Sequence, residues 1–558
     1  MYIKSSSENQ RYRFSNYKRD HKQNPLNTLF CLYDIMDFYD EIIELIRIGD
    51  IRTKSDIHQA KVKLCKKYCM NHLPSDVDIL EHASLDVYEE IEPYLRLKPV
   101  RTTSGVAVVA VMTSPEDCPH GRCIYCPGGK EFGTAQSYTG HEPAALRAGH
   151  NDFDPYKQTR SRIEQLNTIG HATDKIDLII MGGTFTARDK DYQEWFIRKC
   201  FDAMNETEAG SLEDAHSLNE FAPSRCIGMT IETRPDWCKP NHVDEMLSLG
   251  TTRVELGVQT TDDEILYRVK RGHKVQDSIE ATRISKDAGL KVCYHMMPGL
   301  PGSDIKKDLA AFKTIFENPD FAPDMLKIYP CLVVEGTKLH ESWKNGDYKP
   351  YNTDENAELI AEIKGFIPEW VRIQRIQRDI PVNLITDGVD KSNLRQIVQK
   401  KLEEKGEKCN CIRCREVGIR SLKGFEPDLK TITLKMQGYD ASKGKEYFLS
   451  FEDSYCTLIG YARLRRPSDK AHRNEIKAQP CMILRELKVA GEMVPIGKTD
   501  DKLWQHKGYG LKLLEECENI AKSEDAEKII VLSGVGVREY YRKFGYKRVG
   551  PYMSKILR

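Results

Sequence analysis

Between Val106 and Val333, short apolar runs rich in β-branched residues alternate with segments whose apolar positions recur every three or four residues. The runs are VAVVAVM (Val106–Met112), DLIIMGG (Asp177–Gly183), CIGMTIET (Cys226–Thr233), RVELGVQT (Arg253–Thr260), LKVCYHMM (Leu290–Met297) and MLKIYPCLV (Met325–Val333). Such runs predict strands, and the amphipathic segments between them, such as HVDEMLSLG and DSIEATRISKDAGL, predict helices. Strands alternating with helices imply a parallel sheet, hence an α/β fold class. Six units in succession predict a partial (β/α)6 barrel, with a doubly wound sheet as the other arrangement.

The flanks differ. Leu29–Ile46, LFCLYDIMDFYDEIIELI, has helical apolar spacing, and Ser55 is a predicted N-cap for a following helix that carries Lys61, Lys63, Lys66 and Lys67. Residues 1–25 form a basic arm, with Lys4, Arg11, Arg13, Lys18, Arg19 and Lys22 against Glu8 and Asp20. Residues 355–405 read as mostly helical and charged. From about residue 421 a different pattern begins: TITLKM, YFLSFED, TLIGYARLR and MILRELKV predict strands, followed by a glycine turn, a helix, another strand and a Tyr-rich segment. The expected division is a mostly helical, basic region over 1–95, the barrel over 96–395, a cysteine-rich linker over 396–420, and an α+β domain over 421–558.

Composition narrows the function classes. The 558 residues are 40% hydrophobic and 30% charged, a globular composition, and 84 basic residues balance 84 acidic ones. A chain that is basic from end to end is excluded, but local basic patches are not. No apolar run approaches the ~20 residues of a membrane-spanning helix, and the start lacks the apolar core of a secretory signal, so a cytoplasmic protein is expected. The 17 cysteines are too sparse for a disulfide scaffold, and six of them fall in two tight clusters.

In the first cluster, CPHGRCIYCPGG sets Cys118, Cys123 and Cys126 in a C-x4-C-x2-C array after the first predicted strand. Three thiolates are one short of filling a four-iron cubane. An iron left open could chelate the amino and carboxylate groups of S-adenosylmethionine, whose sulfonium an electron would then cleave homolytically. A zinc loop with His120 as fourth ligand is the alternative these residues leave open.

Near the C-terminus, QHKGYG (Gln505, His506, Lys507, Gly508, Tyr509, Gly510) lies between a predicted strand and a predicted helix. Glycines at a helix N-terminus let backbone N–H groups converge on phosphate. The spacing resembles the pyrophosphate loop of the GNAT acetyltransferases, and REYYRKFGYKRVG resembles their tyrosine-bearing segment. That resemblance implies acetyl-CoA as substrate, with Tyr540 and Tyr541 near the thioester. It also implies that the strand Glu486-Leu487-Lys488-Val489 pairs its backbone with the pantetheine arm.

The strings CPHGRCIYCPGG, QSYTGHEPAALRA, IIMGGTF, IETRPDWC, ELGVQT, RGHKV, HMMPGLPG and LKIYP, in this order, resemble the radical S-adenosylmethionine half of the elongator catalytic-subunit family, prokaryotic type. The likeness runs over nearly the whole chain. It implies a radical-SAM partial barrel joined to a GNAT domain, a [4Fe–4S] cluster on the cysteine trio, and a backbone site for the methionine amino group at Gly182-Gly183-Thr184. Glu232 and Gln259 would face the same mouth, and Lys175 matches a lysine associated with the acetyl-CoA. The implied activity is synthesis of 5-carboxymethyluridine at the wobble position of a tRNA anticodon stem–loop, the N-terminal region contributing to tRNA binding. The rival expectation is a protein lysine acetyltransferase with a structural iron–sulfur cluster. Homodimerisation or accessory subunits stay open.

The second cluster, CNCIRC, puts Cys409, Cys411 and Cys414 together as ligands expected to hold zinc, with Cys331, Cys456, Cys481 or a histidine as a fourth, a second iron–sulfur cluster being the alternative. For RNA phosphates the candidate contacts are Arg372, Arg375 and Arg378; Arg413, Arg415 and Arg420; and Arg463, Arg465 and Arg466.

Overall fold

The computed structural model describes residues 38–96, 101–491 and 507–557. The basic arm 1–25, the first part of the Leu29–Ile46 helix, Gln505 and His506 lie outside these described residues. The chain divides into two compact units, one of residues 1–98 with 168–170 and one of the rest.

In the first unit the helices Lys54–Lys67, Asp76–His82 and Leu85–Leu95 enclose a core that includes Phe38, Ile42, Ile46, Leu64, Ile79 and Ile91. The N-cap of the first helix is Thr53 rather than Ser55. The Thr53 side chain accepts from the Asp56 amide, and Asp56 accepts from the Thr53 amide. This reciprocal capping box satisfies two otherwise orphaned donors, which Ser55 could not do from inside the first turn. Lys61, expected on a basic face, is buried and donates to Asp76 at 2.9 Å.

In the second unit all six expected barrel strands form: β1 Ala107–Met112, β2 Lys175–Met181, β3 Arg225–Thr233, β4 Arg253–Gln259, β5 Lys291–Met296 and β6 Met325–Ile328. A short β7, Val333–Val334, follows, and then β8, Arg372–Ile376, joins the large sheet. The sheet runs in the order β1-β2-β3-β4-β5-β6-β8, every pairing parallel. It is a half-barrel with β1 and β8 at its edges. β8 falls in the segment expected to be mostly helical. β9, Ile385–Asp387, pairs with β7 in a small separate sheet. The core on the helical side takes Val109, Leu178, Met229, Val254, Val292 and Leu326 from successive strands.

The C-terminal sheet comprises β10 Thr433–Ala441, β11 Gly444–Glu452, β12 Leu458–Arg466, β13 Cys481–Val489, β14 Lys528–Val531, β15 Lys547–Val549 and β16 Tyr552–Ile556. Its order is β10-β11-β12-β13-β14-β16-β15, antiparallel except for β13 and β14. The parallel step is crossed by the helix Tyr509–Ser523. β13 and β14 pair from Cys481 to Leu484, and beyond that point Glu486–Val489 keep only their β12 partners.

The sheets meet across a buried ion network. Arg485 donates to Asp324 at 2.5 and 2.8 Å and to Glu446 at 3.0 Å. Lys286 approaches the same two carboxylates at 3.4 and 3.5 Å. Arg465 joins Asp287 at 2.7 Å and Glu446 at 3.0 Å, and Arg463 joins Glu486 at 2.8 Å. The Asp324 carboxyl, which burial alone would raise, is held far below its usual range by Arg485, Lys286 and Arg463. Close backbone packing adds to the contact: a Cβ on Gly534 would lie 2.1 Å from the Ile227 carbonyl oxygen, so the strand-end glycine of IIVLSGVG lets β3 approach. The network overturns part of the nucleic-acid expectation. Arg463 and Arg465 are consumed by it, Arg372 is buried on Glu416, and Arg415 is buried on Glu452 at 2.5 Å. A guanidinium sealed from water with its own carboxylate has no charge left for a phosphate. Arg466 stays exposed, beside Glu524.

Candidate functional site

Parallel α/β sheets place their sites beyond the strand C-termini. The loop after β1 carries Cys118, Cys123 and Cys126 there, and the trio lines one pocket with Gly183, Thr184, Glu232 and Gln259. The glycines are obligatory in this geometry. Gly182 and Gly183 have φ of +127° and +91°, and a Cβ on Gly182 would stand 2.1 Å from Thr113 Oγ1. A Cβ on Gly183 would lie 3.7 Å from Cys118 Sγ, so the bare backbone itself faces the sulfurs. Gln259 has φ +71°, an uncommon conformation for a side-chain residue, and its Oε1 is buried without a partner.

Each sulfur has a polar neighbour. Gln136 donates to Cys126 Sγ at 3.1 Å, His120 Nε2 lies 3.2 Å from Cys123 Sγ, and Thr184 Oγ1 lies 3.5 Å from Cys118 Sγ. The buried Arg271, anchored on the Gly257 carbonyl at 2.9 Å, reaches Cys123 Sγ at 3.8 Å. A fixed cation and hydrogen-bond donors around three thiolates suit a negatively charged cluster. Thiolates on one zinc ion, with bonds of ~2.3 Å, would stand ~3.8 Å apart. Among the described residues, two groups bring three or more potential metal ligands within 4.8 Å of one another, and the Cys118 trio is in neither.

One of those groups is Cys409, Cys411 and Cys414. None of the expected fourth ligands Cys331, Cys456 or Cys481 joins it. Cys331 packs instead with Cys123 and Cys126. The loop bridges the two sheets: Ile412 donates its amide to Val371 at 2.9 Å and buries its side chain against Phe448, Leu458 and Tyr461. The other group, Glu255, Cys293 and His295, lies inside the half-barrel. There Glu255 is bound by Lys327 and by His295 at 2.8 Å, and Lys327 also reaches Glu232 at 3.4 Å. Burial would raise the Glu255 carboxyl, but Lys327, His295 and Arg253 outweigh it and hold it low.

A second cavity of about 1160 Å³ fills the half-barrel lumen and opens on the C-terminal sheet. Glu486, Leu487, Lys488 and Val489 border it where β13 and β14 separate, as do Gly508 and Gly510. Gly508, φ +82°, is the N-cap of the helix that begins at Tyr509. Lys507 is exposed beside it, and Tyr509 stacks edge-on against Phe451 at 5.1 Å. Tyr540 and Tyr541 line the same cavity, their rings 5.2 Å apart in a T-shaped pair. Burial raises both phenols, Tyr540 to about 12. Lys175 lines it too, at the opposite end of β2 from Gly182, and burial lowers its ammonium. Ala144, Met181, Arg375 and Asp379 border both cavities, so the cysteine pocket and the lumen meet. Sequence reasoning gives no role to Arg271, Gln136, Glu255 or Lys327. Arg271, Gln136, Glu255 and Lys327 stand inside the strings RGHKV, QSYTGHEPAALRA, ELGVQT and LKIYP, and those strings are the signal that could have found them.

Residues 112–313 match the Radical SAM superfamily, 323–404 the Radical_SAM C-terminal domain and 35–103 the ELP3 N-terminal domain. The chain is 55% identical over 527 residues to a tRNA uridine(34) acetyltransferase of Methanocaldococcus jannaschii, covering 93% of this chain and 97% of that one. It is 42% identical over 530 residues to human Elongator complex protein 3, covering 93% and 96%. The solved structure of Methanocaldococcus infernus Elp3 lacking its N-terminus superposes with a TM-score of 0.73 at 52% identity, covering 82% of this chain and 100% of that one. With such similarity over nearly its whole length, the chain belongs to the radical-SAM family that contains the tRNA uridine(34) acetyltransferases and Elongator complex protein 3.

Proposed function

We propose that this protein is a tRNA-modifying enzyme that joins the two-carbon unit of acetyl-CoA to C5 of the wobble uridine, leaving 5-carboxymethyluridine after thioester hydrolysis. The observation that supports the reading is the shared border of the two cavities, through which the cysteine-lined mouth meets the lumen bordered by the candidate acyl-donor residues. The activity on uridine 34 of tRNA for which the Methanocaldococcus relatives are named supports the substrate.

Cys118, Cys123 and Cys126 would hold a [4Fe–4S] cluster, which when bound with S-adenosylmethionine and reduced supplies a 5′-deoxyadenosyl radical able to take hydrogen from the acetyl methyl group. Gly182 and Gly183 would present backbone carbonyls to the methionine amino group, and Thr184, Glu232 and Gln259 line the same mouth. Lys327 would hold its proton, because Glu255 and Glu232 flank it. At the other end, the amides around Lys507, Gly508, Tyr509 and Gly510, continuing Gln505 and His506, would receive the pyrophosphate at a helix N-terminus. Glu486–Val489 would pair with the pantetheine arm, and Lys175 would meet the same cofactor from the barrel side. Tyr541 or Tyr540 would donate its phenolic proton to the leaving thiolate. An unstacked anticodon base can enter such a lumen from its open flank, and its seating there would displace water from the reacting carbon. Cys409, Cys411 and Cys414 would hold zinc as a clip between the sheets.

The test incubates anaerobically reconstituted protein with reductant, S-adenosylmethionine, acetyl-CoA and tRNA, followed by nucleoside analysis. Carboxymethyluridine that requires every component is expected. Acetyl-lysine formation without S-adenosylmethionine, and no modified uridine, would replace this reading with a protein acetyltransferase.

A further inference from the structure

Several of the cations facing the lumen are neutralised. Arg253 has Asp177 at 3.3 Å, Arg375 has Asp379 at 2.6 Å, Arg485 has Asp324 at 2.5 Å, and Lys327 and Arg372 have Glu255 and Glu416. Arg225, Lys291, Arg413 and Lys543 have no carboxylate at ion-pair distance among the described residues, and neither do three arginines on the β1 side of the same cavity, which unlike those four act on one another. Arg101 precedes β1, Arg147 lies on the helix Pro143–His150, and Arg162 lies on the helix Pro155–Thr168. Arg147 donates Nη2 to the Ala110 carbonyl on the free edge of β1 at 2.9 Å, and its Nε is buried with no partner. Arg162 donates to the neutral Gln165 at 3.1 Å. Burial first, then the charges of Arg147 and Arg101, push the Arg162 guanidinium down to about 10, and Arg147 is lowered by burial and Arg101. Three like charges gathered on a cavity wall without a counter-ion repel one another, and an anion bound between them removes that cost.

From this uncompensated cluster at the open flank of the half-barrel, we infer that Arg101, Arg147 and Arg162 form a phosphate subsite. It rests on the proposed function for its two candidate ligands, an RNA backbone phosphate beside the base that enters the lumen and the 3′-phosphate of CoA. Both present the same tetrahedral, multiply accepting anion, which guanidinium forks match. The location beside the unpaired edge of β1, where the half-barrel is open, favours the RNA backbone.

The experiment uses the full chain carrying Arg101→Gln, Arg162→Gln, both together, or Arg162→Lys. Arg147 is left intact because it caps the β1 edge. The probes are an anticodon stem–loop RNA with unmodified uridine at the wobble position, acetyl-CoA, and 3′-dephospho-acetyl-CoA. The double variant is expected to bind the RNA about tenfold more weakly, and the slope of log K against log salt should fall by about 0.7–0.9 for each phosphate that is no longer neutralised. Acetyl-CoA affinity should stay within about twofold, and Arg162→Lys should keep most of the salt slope. A double variant that instead loses acetyl-CoA affinity, and no longer distinguishes acetyl-CoA from its dephospho form, supports the subsite with the cofactor as the phosphate source. Unchanged affinity for both the RNA and acetyl-CoA overturns it. If the double variant loses its fold, the two single variants decide by the same readings. Wild-type protein that ignores the RNA would refute the functional reading instead, and the two CoA probes would then decide the subsite alone.

Discussion

Replacing Arg485 tests whether the two sheets form one cooperative body. The network contains four buried cations, Lys286, Arg463, Arg465 and Arg485, and four anions, Asp287, Asp324, Glu446 and Glu486. Arg485→Met keeps much of the side-chain volume but leaves three cations against four anions with no water to compensate. Breaking a buried pair from one side costs about 3–5 kcal/mol. Unfolding entropy of roughly 2.1 cal/mol/K per residue over roughly 450 cooperative residues means about 1 °C per kcal/mol, so Tm should fall by about 3–5 °C. The same loss should weaken acetyl-CoA binding, because Arg463 of this network fixes Glu486 on the cavity border. Adding Glu446→Leu restores the balance of charge and should recover part of the loss, a coupling of about 0.5–3 kcal/mol in a double-mutant cycle. Calorimetry gives Tm and titration gives affinity for the four proteins. The reasoning fails if Arg485→Met melts with wild type, or if the effects of the two substitutions simply add.

Gly182→Ala combines a +127° φ with a 2.1 Å approach to Thr113 Oγ1, so reductive release of 5′-deoxyadenosine from S-adenosylmethionine should fall at least about tenfold while visible absorbance from the cysteine trio persists. Tyr541→Phe keeps the packing and removes only a hydroxyl, so thioester cleavage should fall about 10²-fold with Tm unchanged, and an undiminished rate removes Tyr541 as the proton donor. Cys411→Ser should abolish zinc measured by elemental analysis and lower Tm, whereas zinc retained at full stoichiometry would deny the trio its role. His216 is 2% exposed, and burial together with Arg538 pushes its imidazole down from 6.5 to about 4. Between those values the unfolded chain takes up a proton that the native state refuses, so the neutral imidazole's contribution, complete above pH ~6.5, falls by about 3 kcal/mol on acidification to pH ~4. His216→Phe should flatten that part of a urea-denaturation pH profile, and an identical profile in the variant would refute the assignment.

What can be read from the sequence is what is encoded locally. The cysteine trio, Gly182-Gly183 and the turn before Tyr509 each complete their geometry within a few residues, so spacing alone proposes them. The six barrel runs are legible because each strand presents an apolar outer face to helices that follow it in the chain. β8 is not, because only Ile373 and Ile376 of its five residues are apolar while Arg372, Gln374 and Arg375 line the lumen, and so polar a run between helices resembles a charged surface. The arginine patches mislead for the same physical reason. Arg372 is neutralised by Glu416, Arg463 by Glu486 and, at 3.6 Å, by Asp324, and Arg465 by Asp287, partners that lie 44, 23, 139 and 178 residues away and that no local pattern reveals. Arg101, Arg147 and Arg162 escape notice in the opposite way: they come from three separate segments, and only the fold gathers them on one wall with no carboxylate at ion-pair distance among the described residues. A guanidinium reads alike in sequence whether it is spent on holding two sheets together or left free for a phosphate. The distinction appears only when the carboxylates are placed in space, and it moves the candidate RNA contacts from Arg372, Arg463 and Arg465 to arginines without a carboxylate partner, Arg413 and the proposed cluster beside β1 among them.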